Sequence, residues 1–474
     1  MDERTLEQRL SALAGYEAIG EAGAKRFGEW IRKQDDWGLF RVNPLRYGAS
    51  TQREAIDLFI HAARVGLFDF TFSQLCTYCG GVAHTLESLS AVSRKFHCTT
   101  CDVDFECVLD DVLEVAFTIN SAVHALRIDP YSDGETYARC FYSANRQMPA
   151  EVLRMAQDHI RAFVALPPDG TKTLQLSTKV GEDLSFYSVD AHRRVHLKVA
   201  DGAPTEVAIS FQPHGLDVNE LLVGPGTLKV SLSNARATWV GGYVRPDFVG
   251  VKLRELAQKY PPEWLPFLNG KMLLNNQSFR DLFRVQTLAP DLKLNLKSLT
   301  LLFTDLKGST ELYDRTGDVY AYQVVQEHFR LLSESVRKHD GAIVKTMGDA
   351  IMASFSNSKD AVAAAVEMMA AMEKVNAKVK ADGHETGLKV GVHEGAALAV
   401  NAESRLDYFG QTVNIAARVQ ALASSGEIWL TESVLAADGV SQALERGGYK
   451  PERKVVALKG VGTPTPVFRW ATAS

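Results

Sequence analysis

Leu299-Thr300-Leu301-Leu302-Phe303-Thr304-Asp305 is an apolar run that ends on a carboxylate, and Gly308-Ser309-Thr310 follows almost at once. A short apolar run bounded by turn residues reads as a buried strand. Beyond it, over about 318–338, Tyr322, Val325, Phe329, Leu332 and Val336 recur in steps of three and four, with Gly341 just past the end. That is the spacing of a helix and its stop. Residues 342–346 and 351–355 flank Met347-Gly348-Asp349 and read as a hairpin. A second helix is expected over about 359–378, a strand over 388–393, and a helix with further strands from about 412 to 423. The order β-α-β-β-α-β is the split pattern of ferredoxin-like sheets.

In that topology the first strand lies antiparallel beside the third. The end of one therefore meets the start of the other, and Asp305 and Asp349 occupy those two places. Two carboxylates beside a flexible Gly308-Ser309-Thr310 turn make an oxygen cage for Mg²⁺ next to a cradle of backbone N–H groups, which points to a nucleoside triphosphate as substrate. Taken singly, each residue has a plainer account. Gly348-Asp349 is a common hairpin turn, and Asp305 could simply open a loop.

Three blocks carry a resemblance: Phe303-Thr304-Asp305 with Gly308-Ser309-Thr310; Lys345-Thr346-Met347-Gly348-Asp349-Ala350; and Asp407-Tyr408-Phe409-Gly410-Gln411-Thr412-Val413-Asn414-Ile415-Ala416-Ala417-Arg418. Together they resemble the signature blocks of the class III nucleotidyl cyclases, over about residues 295–470, in the bacterial adenylate cyclase form. The resemblance implies a homodimer whose active site draws two metal-binding Asp residues from one subunit and base-reading and transition-state residues from the other. It implies two Mg²⁺ or Mn²⁺ ions on Asp305 and Asp349, with the Leu306 carbonyl as a further ligand. By the same resemblance Lys345 and Asp407 read the base, Asn414 orients the ribose, Arg418 contacts the α-phosphate, and Lys459 in Leu458-Lys459-Gly460 holds the triphosphate.

Cyclisation requires in-line attack of the ribose 3′-hydroxyl on the α-phosphorus, with pyrophosphate leaving. A guanidinium at Arg418 stabilises charge that builds only in the transition state. Adenine offers an acceptor at N1 and a donor at its amino group, which match a Lys donor and an Asp acceptor; guanine offers the reverse. ATP is the expected substrate. The stretch from Gly395 to Asp407 is short, so a second phosphate-binding cation has no clear counterpart, Arg405 being the nearest candidate. Gln411 stands where relatives often carry Asn. Neither departure removes a metal ligand or the Arg.

Upstream, Cys76-Thr77-Tyr78-Cys79 and Cys98-Thr99-Thr100-Cys101 enclose 18 residues, within the roughly 15–20 expected between the knuckles of a zinc site. Four thiolates make a closed, structural Zn²⁺ site, and Gly80-Gly81 permits the tight turn that brings N–H groups to sulfur. A redox dithiol needs only one such pair. His84 and His97 read as ordinary polar residues, and Cys107 and Cys140 as small core residues. Acidic Asp102, Asp104, Glu106, Asp110 and Asp111 outnumber Arg94 and Lys95 nearby, which argues against nucleic acid and for structural stapling or a protein contact.

The whole chain has 474 residues, with 52 Lys+Arg against 57 Asp+Glu and 46% hydrophobic residues. That composition is globular and gives no global attraction to polyanions. Met1-Asp2-Glu3-Arg4 leads into no apolar segment, so a soluble, cytoplasmic protein is expected. The fold class read from the chain is α+β and multidomain. Residues 1–70 read as a helical, winged-helix-like segment, with Leu6, Leu10 and Leu13 in helical spacing and Ser50-Thr51 capping a helix with Ile56, Phe59 and Ala63. Residues 71–119 are a zinc ribbon. Residues 120–290 are a β-rich, sandwich-like regulatory domain and linker with one helix near 149–163, broken by the Pro-rich stretch at 260–266 and by Ala289-Pro290-Asp291. Residues 291–474 are the catalytic domain. The segment 1–290 resembles an uncharacterised module that precedes cyclase domains. Two other functions remain open: a guanylate cyclase, and a silent cyclase fold acting as a nucleotide sensor or scaffold.

Overall fold

The computed structural model describes residues 1–259, 263–283, 288–289, 292–381, 386–403, 405–446, 452–459, 461 and 464–471. Tyr260, Pro261 and Pro262 of the Pro-rich stretch, Pro290-Asp291 and Gly460 lie outside them. The chain forms two compact units, one of residues 1–55, 65–107 and 111–268, the other of residues 56–64, 108–110 and 269–474. Among the described residues no helix is long and apolar enough to cross a membrane.

In the second unit, which carries the cyclase-like blocks, eight strands are labelled β1 (Leu294–Lys307), β2 (Gly341–Met347), β3 (Ala350–Phe355), β4 (Gly387–Ala402), β5 (Arg405–Phe409), β6 (Glu427–Thr431), β7 (Glu452–Val456) and β8 (Thr465–Ala471). Four helices matter to the site: α1 (Ser309–Thr316), α2 (Asp318–Lys338), α3 (Ser358–Ala381) and α4 (Gln411–Gln420). The sheet runs β2-β3-β1-β4-β6-β8-β7, with β5 folded back on β4. Both β3 and β4 lie antiparallel to β1. Leu301 and Leu302 are fully buried, as befits a strand paired on both edges and covered by helices.

Helix α2 occupies the span that the periodicity predicts, but its buried face is rotated. Ala321, Val324, Val325, His328, Leu332 and Val336 face inward, and Tyr322 is 58% exposed. A narrow stripe of large apolar residues located the helix but left out the small Ala321 and polar His328 that complete its buried face. The strand expected over 388–393 is far longer, because its distal half pairs with β5. Gly391 lets α4 approach β4, since a Cβ there would lie 2.2 Å from the Gln420 nitrogen.

The first unit opens with helices Glu3–Ala14 and Gly20–Lys33. The second lies within the stretch read as helical, although Gly20, Gly23 and Gly28 weaken its propensity. Gly28 is needed there, as a Cβ would sit 2.5 Å from Leu10 Cδ1. Thr51 Oγ1 accepts from the Glu54 N–H and caps helix Gln52–Arg64, whose residues 56–64 belong to the second unit, matching the expected cap. A five-stranded and a four-stranded sheet cover 162–246. Their inward residues, among them Phe186, Leu197, Phe211, Leu228 and Val230, share one core. The helix expected near 149–163 stops at Asp158; Phe163 belongs to the strand Ala162–Leu166, opposite Tyr243.

On β4, His393 stands opposite Leu301 and its Nδ1 meets Thr431 Oγ1 at 2.9 Å. Burial pushes its pKa from 6.5 down to about 4. The native ring is neutral while the unfolded ring charges, so the unfolded state binds more protons between these values, and stability is lost as pH falls through that window. A His393→Gln variant should flatten the acid limb of a urea-midpoint versus pH profile between pH 6.5 and 4, by at most about 3 kcal/mol.

Candidate active site and a cysteine cluster

The register carries the site. Phe303 pairs with Met352 across β1 and β3, and the Ile351 N–H donates to Thr304 Oγ1 at 3.1 Å. The next residues outward are Asp305 on β1 and the Gly348-Asp349 turn before β3. Gly348 has φ +64, as this two-residue turn requires. Beneath the turn lies His328 of α2. Its Nε2–H donates to the Asp349 carbonyl at 3.1 Å, and its Nδ1 lies 3.3 Å from Met372 Sδ. Burial holds this imidazole below its ordinary range, while the charges of Asp349 and Asp305 act in the opposite direction. Both carboxylates therefore lie within electrostatic reach of one buried ring.

Asp305 has a partner that sequence reading missed. Lys389 stands directly opposite it across β1 and β4, and its Nζ donates to Asp305 Oδ2 at 2.7 Å. Only strand register reveals this, since the two residues are 84 positions apart. Gly308, at φ +85, starts α1 without a side-chain cap, so the N–H groups of its first turn remain available.

Lys345 and Asp407 are brought together. Lys345 Nζ donates to Asp407 Oδ2 at 2.6 Å, and the Tyr408 N–H donates to Oδ1 at 2.8 Å. The flanking residues of β5 are fixed from outside the sheet by two short helices, Gly270–Leu274 and Gln277–Leu282. Tyr408 donates to Asn275 Oδ1 at 3.0 Å, Arg280 Nη1 donates to the Leu406 carbonyl at 3.1 Å, and the Arg280 guanidinium lies 5.4 Å from the Tyr408 ring centre. No sequence signal marked this brace. Asn414 and Arg418 lie one turn apart on α4, hence on one face. Lys459 is exposed in a turn after β7, and Arg405 is exposed on β5. No contact joins either to the acidic pair among the described residues.

In the first unit all four predicted cysteines converge. Their sulfur atoms lie within 4.8 Å of one another and are buried, with Cys79 and Cys98 at 3.7 Å. A tetrahedron of Zn–S bonds of about 2.3 Å has S···S edges of about 3.8 Å, so the donor set fits. Gly80 has φ +73, and the Gly81 N–H donates to Cys79 Sγ at 3.3 Å. The second pair sits in the hairpin Lys95–Cys98/Val103–Glu106. Hydrogen bonds from Cys101, Cys76 and Cys79 hold the Cys98 thiol well below its usual pKa, and those among the neighbouring thiols push Cys79 well above. His97 pairs with Asp104 at 3.0 Å, away from the sulfurs. The His84 side chain lies outside the described residues. Cys107 and Cys140 are buried, and burial pushes each thiol up to about 11.

Residues 293–467 match the family described as Adenylate and Guanylate cyclase catalytic domain. The C-terminal region is thus a class III nucleotidyl-cyclase catalytic domain, preceded by a domain whose four-cysteine cluster could chelate a metal. Residues 7–281, more than half the chain, match the Family of unknown function (DUF5939), and the chain belongs to that family. An adenylate cyclase of Anabaena cylindrica is 30% identical over 152 residues, spanning 29% of this chain and 30% of the relative. Adenylate cyclase 1 of Rhizobium meliloti (strain 1021) is 29% identical over 138 residues, spanning 27% and 21%. The match therefore covers less than a third of either relative. Among solved structures, the adenylyl cyclase CyaB from P. aeruginosa aligns at 22% identity over 39% of this chain and 97% of its own, with a TM-score of 0.33.

His328→Leu leaves the Asp349 carbonyl without its donor. Urea unfolding should show a loss of about 1–3 kcal/mol, the cost of an unsatisfied buried polar group.

Proposed function

We propose that the C-terminal domain, in a ferredoxin-like sheet arrangement, is an adenylate cyclase that converts ATP to 3′,5′-cyclic AMP and pyrophosphate between two copies of the chain in the cytoplasm. The observation that carries this reading is the Lys345–Asp407 pair, a donor and an acceptor held side by side at 2.6 Å. Adenine N1 accepts from such an ammonium while the amino group donates to the carboxylate. Guanine, with N1–H and O6, leaves both protein groups facing their own kind. Asp407 is already oriented by the Tyr408 N–H, so reading the base requires little reordering.

Asp305, Asp349 and the Leu306 carbonyl supply only oxygen donors, the set preferred by Mg²⁺ and Mn²⁺. Two such ions, when bound, lower the pKa of the ribose 3′-hydroxyl and neutralise charge on the attacking and leaving oxygens. In this mechanism Asn414 orients the ribose, Arg418 meets charge growing on the α-phosphate, and Lys459 holds the triphosphate together with the first-turn N–H groups of Gly308-Ser309-Thr310. The pairing of two copies is supported by exposed apolar side chains around the site. Phe409 on β5 is 70% exposed and Met347 at the hairpin 40%, the kind of surface a partner covers. The cysteine quartet, read as a zinc ribbon, holds one structural Zn²⁺, and the N-terminal unit regulates the cyclase.

With purified full-length protein, Mn·ATP should yield cyclic AMP and Mn·GTP little cyclic GMP. Asp305→Ala should abolish turnover, and Asp407→Ala should narrow the preference for ATP by about 10- to 100-fold. Turnover by Asp305→Ala equal to that of the unaltered protein would remove the metal assignment. Elemental analysis should find about one zinc per chain, lost in Cys98→Ser along with a lower melting temperature.

A further inference from the structure

The two cysteine pairs are held in the same way. Arg146 Nε donates to the Tyr78 carbonyl at 3.1 Å, and Arg245 Nη2 donates to the Thr100 carbonyl at 2.6 Å. Tyr78 and Thr100 occupy equivalent places, each being the residue just before the second cysteine of its pair. One guanidinium therefore clasps each knuckle. Gly80 makes room for the first, since a Cβ there would lie 2.7 Å from Arg146 Cβ. The second lies 4.3 Å from the Tyr187 ring centre, in a residue only 4% exposed.

A buried cation ordinarily has a carboxylate beside it. Neither arginine is ion-paired to one among the described residues. Arg146 donates to the main-chain carbonyls of Tyr78, Gln147 and Glu263, and Arg245 to that of Thr100. Nearby Arg194 shows the contrast, with Asp102 and Asp247 at 3.4 and 3.3 Å. Burial pushes the Arg146 guanidinium below its usual range, against the charges of Cys79, Cys76, Glu263 and Cys101. At Arg245 burial is outweighed by Tyr187, Tyr142, Cys101 and Cys79, when ionised, and the guanidinium is raised. Both cations therefore lie within electrostatic reach of the sulfurs. Glu263 is exposed, so solvent screens its charge, whereas the four sulfurs are buried.

We propose that Arg146 and Arg245 are the counter-cations of the four-sulfur metal centre and set how tightly it holds its ion. Four thiolates around a divalent ion leave two negative charges in excess, and two guanidiniums, one per knuckle, bring the buried assembly to neutrality. Without them that excess charge would stand uncompensated in a low-dielectric interior. The proposal rests on the zinc reading of the cysteine quartet and adds to it the residues that balance its charge.

The full-length protein is loaded with Zn²⁺, and its affinity is measured by competition with a chromophoric chelator. Arg146→Gln and Arg245→Gln each keep a donor for the knuckle carbonyl but lose the charge, and each should weaken zinc binding by about 10- to 100-fold. Arg146→Lys and Arg245→Lys keep donor and charge, and should stay within about threefold of the unaltered protein. Cobalt(II)-loaded variants should retain the absorption of a four-thiolate site, and thermal melts check folding. If Arg245→Gln does not fold, the two Arg146 variants decide the matter. Gln variants that bind zinc as tightly as the unaltered protein, Lys variants that lose as much as the Gln ones, or loss of the four-thiolate absorption in the Gln variants overturns the proposal while leaving the zinc site of the unaltered protein in place. An unaltered chain that takes up no zinc overturns the zinc reading, and the proposal with it.

Discussion

The catalytic unit depends on the antiparallel pairing of one buried strand, Leu294–Lys307, with Gly387–Ala402 on one side and Ala350–Phe355 on the other. A strand inside a sheet must satisfy its backbone polar groups on both edges, and its side chains alternate between two faces. A slip of one residue would turn Asp305 to the opposite face and separate it from Lys389. The same register sets the Gly348-Asp349 turn beside Asp305. Gly391 then brings helix Gln411–Gln420, with Asn414 and Arg418, down onto the sheet. The position of each candidate group therefore follows from main-chain hydrogen bonding, and side-chain chemistry is added to a frame already fixed.

Two of the carboxylates in this frame have lysine partners, Asp305 with Lys389 and Asp407 with Lys345. These pairs are partly solvated, and such pairs contribute only about 0–1 kcal/mol. Separating either lysine from its carboxylate therefore costs little. In the N-terminal unit the Arg41–Glu114 pair is of another kind, since both side chains are almost wholly buried. Separating that pair would strand a charge in a low-dielectric site.

The cysteine knuckle and the Arg41–Glu114 pair share a length of chain. Gly80 and Gly81 bond to the segment that begins at Tyr142, and Ser143 and Asn145 from that segment hold Glu114. A metal held by the four sulfurs would fix what is otherwise an irregular connection between a helix ending at Phe141 and one beginning at Ala150.

Much of this was legible in the residue order. Strand and helix periods located the elements around Asp305 and Asp349, and the paired CxxC spacing announced a four-sulfur cluster, because local hydrophobic spacing and turn chemistry act over a few residues. Residues that act across the fold were not legible. Lys389, His328, the Asn275–Arg280 brace on β5 and the rotated face of α2 depend on which strand lies beside which and at what offset. The arginines beside the cysteine cluster are harder still to read, as Arg245 meets Thr100 from 145 positions away. Sequence alone determined which chemistries this chain carries, because residue type and short spacing are local properties. Only the tertiary structure decided which groups meet, because register and packing are settled between segments distant in the chain.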